Sequence, residues 1–285
     1  MMGDRRRPLA DWVGSTETRE DVISLFPAQG AAAMLDLNGA PLTSGDPLPP
    51  LWHWFYFLPL AARSQIDRDG HPKRGGFLPP VDLPRRMFAG ARTSFHRPIT
   101  IGEPAVREGE ILKVSEKSGK SGRLVFVTVR YRILQGGELR VEEEQDIVYK
   151  EPGPPIPAPV PLQPLPDAPA ASWVRDVTPD TALLFRFSAL TFNAHRIHYD
   201  RPYALGEEGY PGLVVHGPLT AMLLAGLARE QSSRDIGSFR FQGRAPLFDL
   251  HPFRLVGCPE GDSVALEAIG PDGRVTMLAT AELRL

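Results

Sequence analysis

A single cysteine, Cys258, stands in 285 residues. That excludes an intramolecular disulfide and any zinc site built from cysteine thiolates, and it fits a reducing compartment. Gly-x-Gly-x-x-Gly and P-loop patterns are missing, so no nicotinamide or nucleotide cofactor is expected. Ser188 lies in no Gly-x-Ser-x-Gly turn, which counts against a serine hydrolase. The formal net charge is only -2, so the chain as a whole does not advertise nucleic-acid binding. Long apolar runs are also lacking. The most apolar stretch, 51–62, is too short to span a bilayer and carries His53 and Pro59. The arginines at 5–7 resemble the start of a signal peptide, but Asp11, Glu17, Glu20 and Asp21 follow where an apolar core would be needed. The expectation is a cytoplasmic protein with no membrane segment. Hydrophobic residues at 42% and charged residues at 23% fit a soluble globular chain.

Proline is abundant, and its distribution divides the chain. Nine of the 20 residues in 151–170, EPGPPIPAPVPLQPLPDAPA, are proline. Such a segment lacks the backbone donors that helix and sheet require and favours an extended form. At about 3.1 Å per residue it can cross roughly 60 Å. This predicts an N-terminal unit at 1–150, a bridge at 151–170 and a C-terminal unit at 171–285.

The two units share a layout. In the first, a helix is predicted over 20–35. Strands are predicted at 51–57, 88–99, 111–117, 124–134 and 138–149. Val125, Val127, Val129, Tyr131 and Ile133 alternate with the period of a half-buried strand, and Gly136-Gly137 reads as a hairpin turn. In the second, a helix at 218–229 precedes strands at 238–244, 253–258, 262–270 and 274–285, with a turn at Pro271-Asp272-Gly273. Each half therefore reads as one long helix covering an antiparallel sheet, an α+β arrangement.

The densest polar cluster, FRFSALTFNAHRIHYDRPYA at 185–204, is followed by GYPGLVVHGPLTAMLLAGL, where Gly217 opens a helix. Such a set suits addition of water to the double bond of an acyl thioester. A histidine takes a proton near neutral pH. An amide such as Asn193 holds the water. Free N–H groups at a helix start stabilise charge on the thioester oxygen, and a glycine there lets the substrate approach.

These residues resemble the MaoC-type enoyl-CoA hydratases and hydroxyacyl-thioester dehydratases of the hot-dog fold, which carry Asp-x-Asn-Pro-x-His followed by Val/Ala-His-Gly. Here the matching stretches are Asn193-Ala194-His195-Arg196-Ile197-His198 and Val215-His216-Gly217. The resemblance implies His198 as catalytic histidine, Gly217 as the amide that binds the thioester oxygen, and Asn193 in place of the family's aspartate. With that carboxylate gone, base catalysis rests on His198. The segments LWHWFYFLP and RDGHPKRGGFLPPVDLPRRMFAG are similar to one branch, the double hot-dog type 2 dehydratases with the mesaconyl-C4-CoA and itaconyl-CoA hydratases. It implies a CoA thioester substrate, a small branched dicarboxylic mono-CoA ester or a straight-chain enoyl-CoA, together with a homodimer and no cofactor or metal. A thioesterase and a non-catalytic acyl-CoA-binding protein remain as rival readings.

Around the core motif the readings stay open. His195 is either a partner of His198 or a buried, hydrogen-bonded histidine, and His216 either assists or merely packs. Asp200 is expected to order its own loop. A metal held by His195, His198 and Asp200 is disfavoured, since no His-Glu-x-x-His motif supports it. Arg196 and Arg201 are candidates to pair with a substrate carboxylate, and Lys73, Arg74, Arg85 and Arg86 to meet the CoA phosphates or simply to face solvent. The N-terminal unit, whose His53, His71 and His96 stand in unrelated contexts, is expected to be a non-catalytic copy that shapes the substrate tunnel.

Overall fold

The computed structural model describes residues 8–119, 122–162, 168–170 and 172–284. The arginines at 5–7 and positions 163–167 of the proline bridge lie outside the described residues. Ten strands form one antiparallel sheet. The N-terminal half supplies β1 (Thr16–Val22), β2 (Arg85–Phe95), β3 (Pro104–Gly119), β4 (Gly122–Gln135) and β5 (Glu138–Lys150), with helix α1 (Leu25–Met34) between β1 and β2. The C-terminal half supplies β6 (Trp173–Val177), β7 (Ile236–Gly243), β8 (Phe253–Glu260), β9 (Ser263–Ile269) and β10 (Val275–Leu283). Helices α2 (Thr181–Leu190), α3 (Arg201–Gly206) and α4 (Gly217–Gln231) lie between β6 and β7.

The sheet order is β1-β3-β4-β5-β2-β7-β10-β9-β8-β6. Within each half the strands run first, third, fourth, fifth, second, and the second strands of the two halves, β2 and β7, pair at the centre. This is the double hot-dog arrangement: two sheets, each wrapped on helix, joined at a shared seam. Joining them removes two open edges that would otherwise template wrong pairing. At the seam Gly90 lets the backbones approach closely, since a Cβ there would stand 2.4 Å from the Phe241 carbonyl oxygen.

The inner face follows the period-two pattern. Val125, Val127, Val129 and Ile133 of β4 are buried, while Arg92, Glu144 and Asp146 form ion pairs on the opposite face. Helix α4 packs Leu219, Leu224, Leu227 and Ala228 into the main core with Phe239, Leu255 and Leu266. Gly136 and Gly137, at φ 57° and 80°, make the β4–β5 hairpin turn.

Several elements differ from the expectation. The helix predicted over 20–35 starts at Leu25, because 16–22 pairs with β3 as an edge strand of alternating exposure. The stretch 51–57 is not a strand. It winds through a 3-10 turn at Trp52–Phe55 between two residues of positive φ, Leu51 and Phe57. Trp52, Phe55, Tyr56 and Phe57 are buried and Trp54 half-buried, and His53 and Trp54 both reach the buried carboxylate of Glu143. A run enclosed all round has no polar face to reveal its period. Strand β6 and helix α2 were not predicted.

The bridge leaves β5, near the centre, and must reach β6 at the far edge. That is six strand steps, roughly 29 Å at about 4.8 Å each. Its described residues are exposed or half-buried, anchored where Ile156 donates to the Gly209 carbonyl and Leu162 to that of Pro271. Among the described residues no helix is long and apolar enough to cross a membrane.

Gly90→Val is expected to lower stability by about 1–3 kcal/mol through overpacking at the seam. Urea unfolding of the variant beside the wild type measures this, and an unchanged midpoint would mean that the seam tolerates a wider spacing.

Candidate active site

Helix α2 delivers the first of the site residues. Asp180 caps its N-terminus by accepting from the Leu183 amide at 2.7 Å. Its C-terminus closes by a pair of backbone bonds, Asn193 N–H to Ser188 O and Phe192 N–H to Ala189 O, with Phe192 at φ 49°. This is a Schellman turn that places a phenylalanine where glycine is usual. The turn throws the chain back so that Asn193 begins a loop, and the Asn193 Oδ1 accepts from the His195 amide at 3.0 Å.

His198 follows in a short 3-10 turn and is buried. Its Nδ1 lies 2.7 Å from the Val214 carbonyl oxygen. A carbonyl only accepts, so Nδ1 carries the hydrogen and Nε2 is left with a free lone pair. Burial pushes His198 down to about 4, against the opposing effect of that hydrogen bond. It is therefore neutral at pH 7 and able to accept a proton at Nε2.

His216 caps α4 and stacks on His198, with ring centroids 3.6 Å apart and planes 18° apart. Its Nε2 meets the Ser188 hydroxyl at 2.9 Å, and its Nδ1 has no partner among the described residues. A buried bare N–H is costlier than a bare lone pair, so the hydrogen sits on Nε2. The next residue, Gly217, opens the helix and is followed by Pro218. The first amides of a helix have no acceptor within it, and the dipole makes them attractive to negative charge. The carbonyl of Phe88 on β2 stands 3.9 Å from where a Gly217 Cβ would be, which brings the central strand to the helix start.

The N-terminal half enters the site directly, and here the expectation is corrected: His71 is not in an unrelated context. The loop around Asp69-Gly70-His71 docks on 194–196. The Arg196 amide donates to the Asp69 carbonyl at 2.9 Å. Gly70 has φ +93°, and a Cβ there would fall 1.7 Å from the Ala194 carbonyl oxygen. The His71 ring faces that of His195 at 4.0 Å, and its Nδ1 bonds Asp69 at 2.9 Å. His195 in turn meets His198 edge-on at 5.4 Å. Four imidazoles thus form a row in the order His216, His198, His195, His71. Burial pushes all four below their ordinary value. Burial alone would raise the Asp69 carboxyl, but its bond to His71 and the nearby imidazoles hold it well below the usual range. The signal for this docking in the sequence was Gly70, set between an acid and a histidine, which reads locally as nothing more than a turn.

Asp69, His71 and His195 offer three donor atoms within 4.8 Å of one another. The carboxylate is already bonded to the His71 Nδ1, and the His195 ring meets those of His71 and His198. The combination of His195, His198 and Asp200 is not assembled as a ligand set: Asp200 caps α3 and pairs with Arg196 at 2.8 Å.

The basic residues separate clearly. Arg196 is committed to Asp200 and lies over the Tyr203 ring at 4.1 Å. Arg201 pairs with Asp249. Arg74 donates to the carbonyls of Val81, Leu83 and Pro84, and the exposed Lys73 to that of Ser64. Arg85 pairs with Glu208 at 3.0 Å. Arg86, half-buried on β2 opposite Tyr149, is in no ion pair among the described residues.

A profile of the family described as hydroxyacyl-thioester dehydratase type 2 matches residues 51–249. The chain belongs to this family, and it is an enzyme of the hydratase/dehydratase class. It is similar to the mesaconyl-C(4)-CoA hydratase of Chloroflexus aurantiacus, with 62% identity over 275 residues, 95% of this chain and 96% of that protein. The mitochondrial hydroxyacyl-thioester dehydratase type 2 of Schizosaccharomyces pombe is 29% identical over 234 residues, covering 73% of this chain and 77% of its own. Among solved structures, HtdX of Mycobacterium tuberculosis superposes with a TM-score of 0.67 at 17% identity, over 94% of this chain and 100% of that one, a likeness of fold.

Two outcomes are expected of this site. The unfolded chain protonates its histidines near 6.5, whereas the folded chain keeps His198 neutral to about 4. The unfolded state thus binds the proton first, and stability falls as pH drops below 6.5. For His198 alone the loss at pH 5 relative to pH 7 is roughly 2 kcal/mol. Urea unfolding at both pH values should show it, with a smaller loss in His198→Gln; equal losses in the two proteins would refute the assignment. Gly70→Ala should lower kcat/KM on the order of 10²-fold by displacing the catalytic loop, although it removes no reactive group. Near-normal kinetics would mean that the docking is dispensable.

Proposed function

We propose that the enzyme reversibly hydrates mesaconyl-C4-CoA to a citramalyl-CoA-type product, with itaconyl-CoA and straight-chain enoyl-CoA esters as the competing substrates. The reading is carried by one observation: a buried, neutral His198 with its Nε2 free, beside the open amide of Gly217, in a chain 62% identical to a mesaconyl-C(4)-CoA hydratase.

The thioester oxygen accepts from the Gly217 amide at the start of α4. The side chain of Asn193 holds a water near His198. The water oxygen bonds to the β-carbon while one of its protons passes to His198 Nε2. The π electrons move to the α-carbon and the thioester oxygen, where the helix start stabilises the charge. The imidazolium then returns its proton to the α-carbon, so neither charge nor proton is gained overall. His195 and His216 hold the imidazole between them and exclude solvent. Residues 171–285 carry the base, and 1–150 close the site through the Asp69-Gly70-His71 loop without a base of their own. The CoA phosphates lie at the solvent edge near Lys73. The protein acts in the cytoplasm as a homodimer.

His198→Ala should lower kcat by about 10³–10⁴-fold, and Asn193→Ala by less, about 10- to 100-fold. Because the base titrates at about 4, kcat/KM should stay flat on the acid side until well below pH 6. An acid limb near 6.5 would contradict the neutral, buried base. Loss of enoyl absorbance reads hydration directly. Release of free thiol without it would mark a thioesterase, and binding without turnover an acyl-CoA-binding protein.

A further inference from the structure

The row of imidazoles has a direction. At one end His216 leads into the amide of Gly217, and at the other stands His71, with the central strand β2 running alongside. Arg86 and Phe88 are two residues apart on β2 and so point to the same face. Their cross-strand neighbours Tyr149 and Ile147 lie on the inner face, with the buried Val125 and Val127 of β4 beyond them. The carbonyl of Phe88 abuts Gly217, and Arg86 lies roughly 7 Å further along the strand. Its charge acts on both His71 and His195, and it faces the Tyr149 hydroxyl. Neighbouring Arg85 and Arg74 are satisfied by a carboxylate and by three carbonyls respectively. Arg86 is left half-buried beside the Tyr149 hydroxyl and in no ion pair among the described residues, the nearby Asp69 carboxylate being bonded to His71, and a half-buried charge without an ionic partner is costly unless an anion joins it.

We infer that Arg86, two residues along β2 from the carbonyl that meets the Gly217 helix start, forms the subsite that receives the free carboxylate of the acyl group. This rests on the substrate reading above. In a mesaconyl-C4 thioester that carboxylate is attached to the β-carbon, the atom that water attacks, three bonds from the thioester carbonyl. With the carbonyl at Gly217 and the β-carbon at His198, the carboxylate falls at the His195–His71 end of the row. Its charge would repel the incoming oxygen, and a guanidinium paired with it offsets that repulsion. Arg196 and Arg201, closer in sequence to His198, already hold carboxylates of their own at the surface.

The test is the ratio of kcat/KM for mesaconyl-C4-CoA to that for crotonyl-CoA, measured by enoyl absorbance. The wild type should strongly prefer the dicarboxylic thioester. Arg86→Gln should lower the ratio by about 100-fold or more, since one buried charge is then left without its partner. Arg86→Lys, which keeps the charge but not the planar fork, should lower it by about tenfold. Tyr149→Phe, which removes the hydroxyl facing Arg86, should leave the ratio within a few-fold of wild type. If Arg86→Gln fails to fold, Arg86→Lys decides. A wild-type ratio retained in the folded Arg86 variants overturns the subsite and leaves the substrate reading standing. A wild type that hydrates crotonyl-CoA but not mesaconyl-C4-CoA overturns both.

Discussion

The hydrogen bond from His198 Nδ1 to the Val214 carbonyl decides which ring nitrogen keeps a free lone pair. It costs the imidazole one of its two polar sites and commits the other, Nε2, to whatever enters the cleft. Much of the surrounding structure serves to hold Val214 where it can accept. The Val214 amide bonds the Ile197 carbonyl, its neighbour Val215 bonds that of Leu247, and Val214 bridges to Phe248. Asp249 accepts from the Leu213 amide at 2.8 Å while pairing with Arg201. Strand-like segments on both sides of the histidine are thus tied to each other as well as to its ring.

Burial does the rest. A histidine in water is partly protonated near neutrality, but a row of rings that shield one another stays uncharged. Stacking on His216 and the edge contact with His195 leave little room for solvent, and they also fix the ring plane. With no carboxylate at position 193, no ionic partner stabilises an imidazolium at His198. The neutral form is therefore the one present near neutral pH.

Several of the strands β2 to β5 and β7 to β10 were legible in the sequence because they bury one face, so Val125 through Ile133 alternate plainly. Strand β1, TETREDV, alternates only in exposure, with a single apolar residue at its end, and gave no hydrophobic period. The site was legible where it is contiguous: Asn193, His198, His216 and Gly217 lie on two nearby segments and share a recognisable spacing. Asp69, His71 and Arg86 lie more than a hundred residues away, and their partnership depends on Gly70 meeting Ala194 and on β2 lying beside α4. Proximity in sequence also misled. Arg196 and Arg201 flank His198, yet the 3-10 turn and the helix α3 that carry them point their guanidinium groups at Asp200 and Asp249.

The two halves share one strand order but differ in what they bring to the row of imidazoles: His71 comes from one, His195, His198 and His216 from the other, and one covalent bridge joins them. Two separate chains would have to meet before loop and base could combine, at the dilution of the cell. Joined through 151–170, the Asp69-Gly70-His71 loop faces 194–196 at an effective concentration on the order of millimolar. Neither half is then bound to remain compatible with a copy of itself. One can then carry the docking loop and the other the three further imidazoles, so that a single row of rings has two chemically distinct ends.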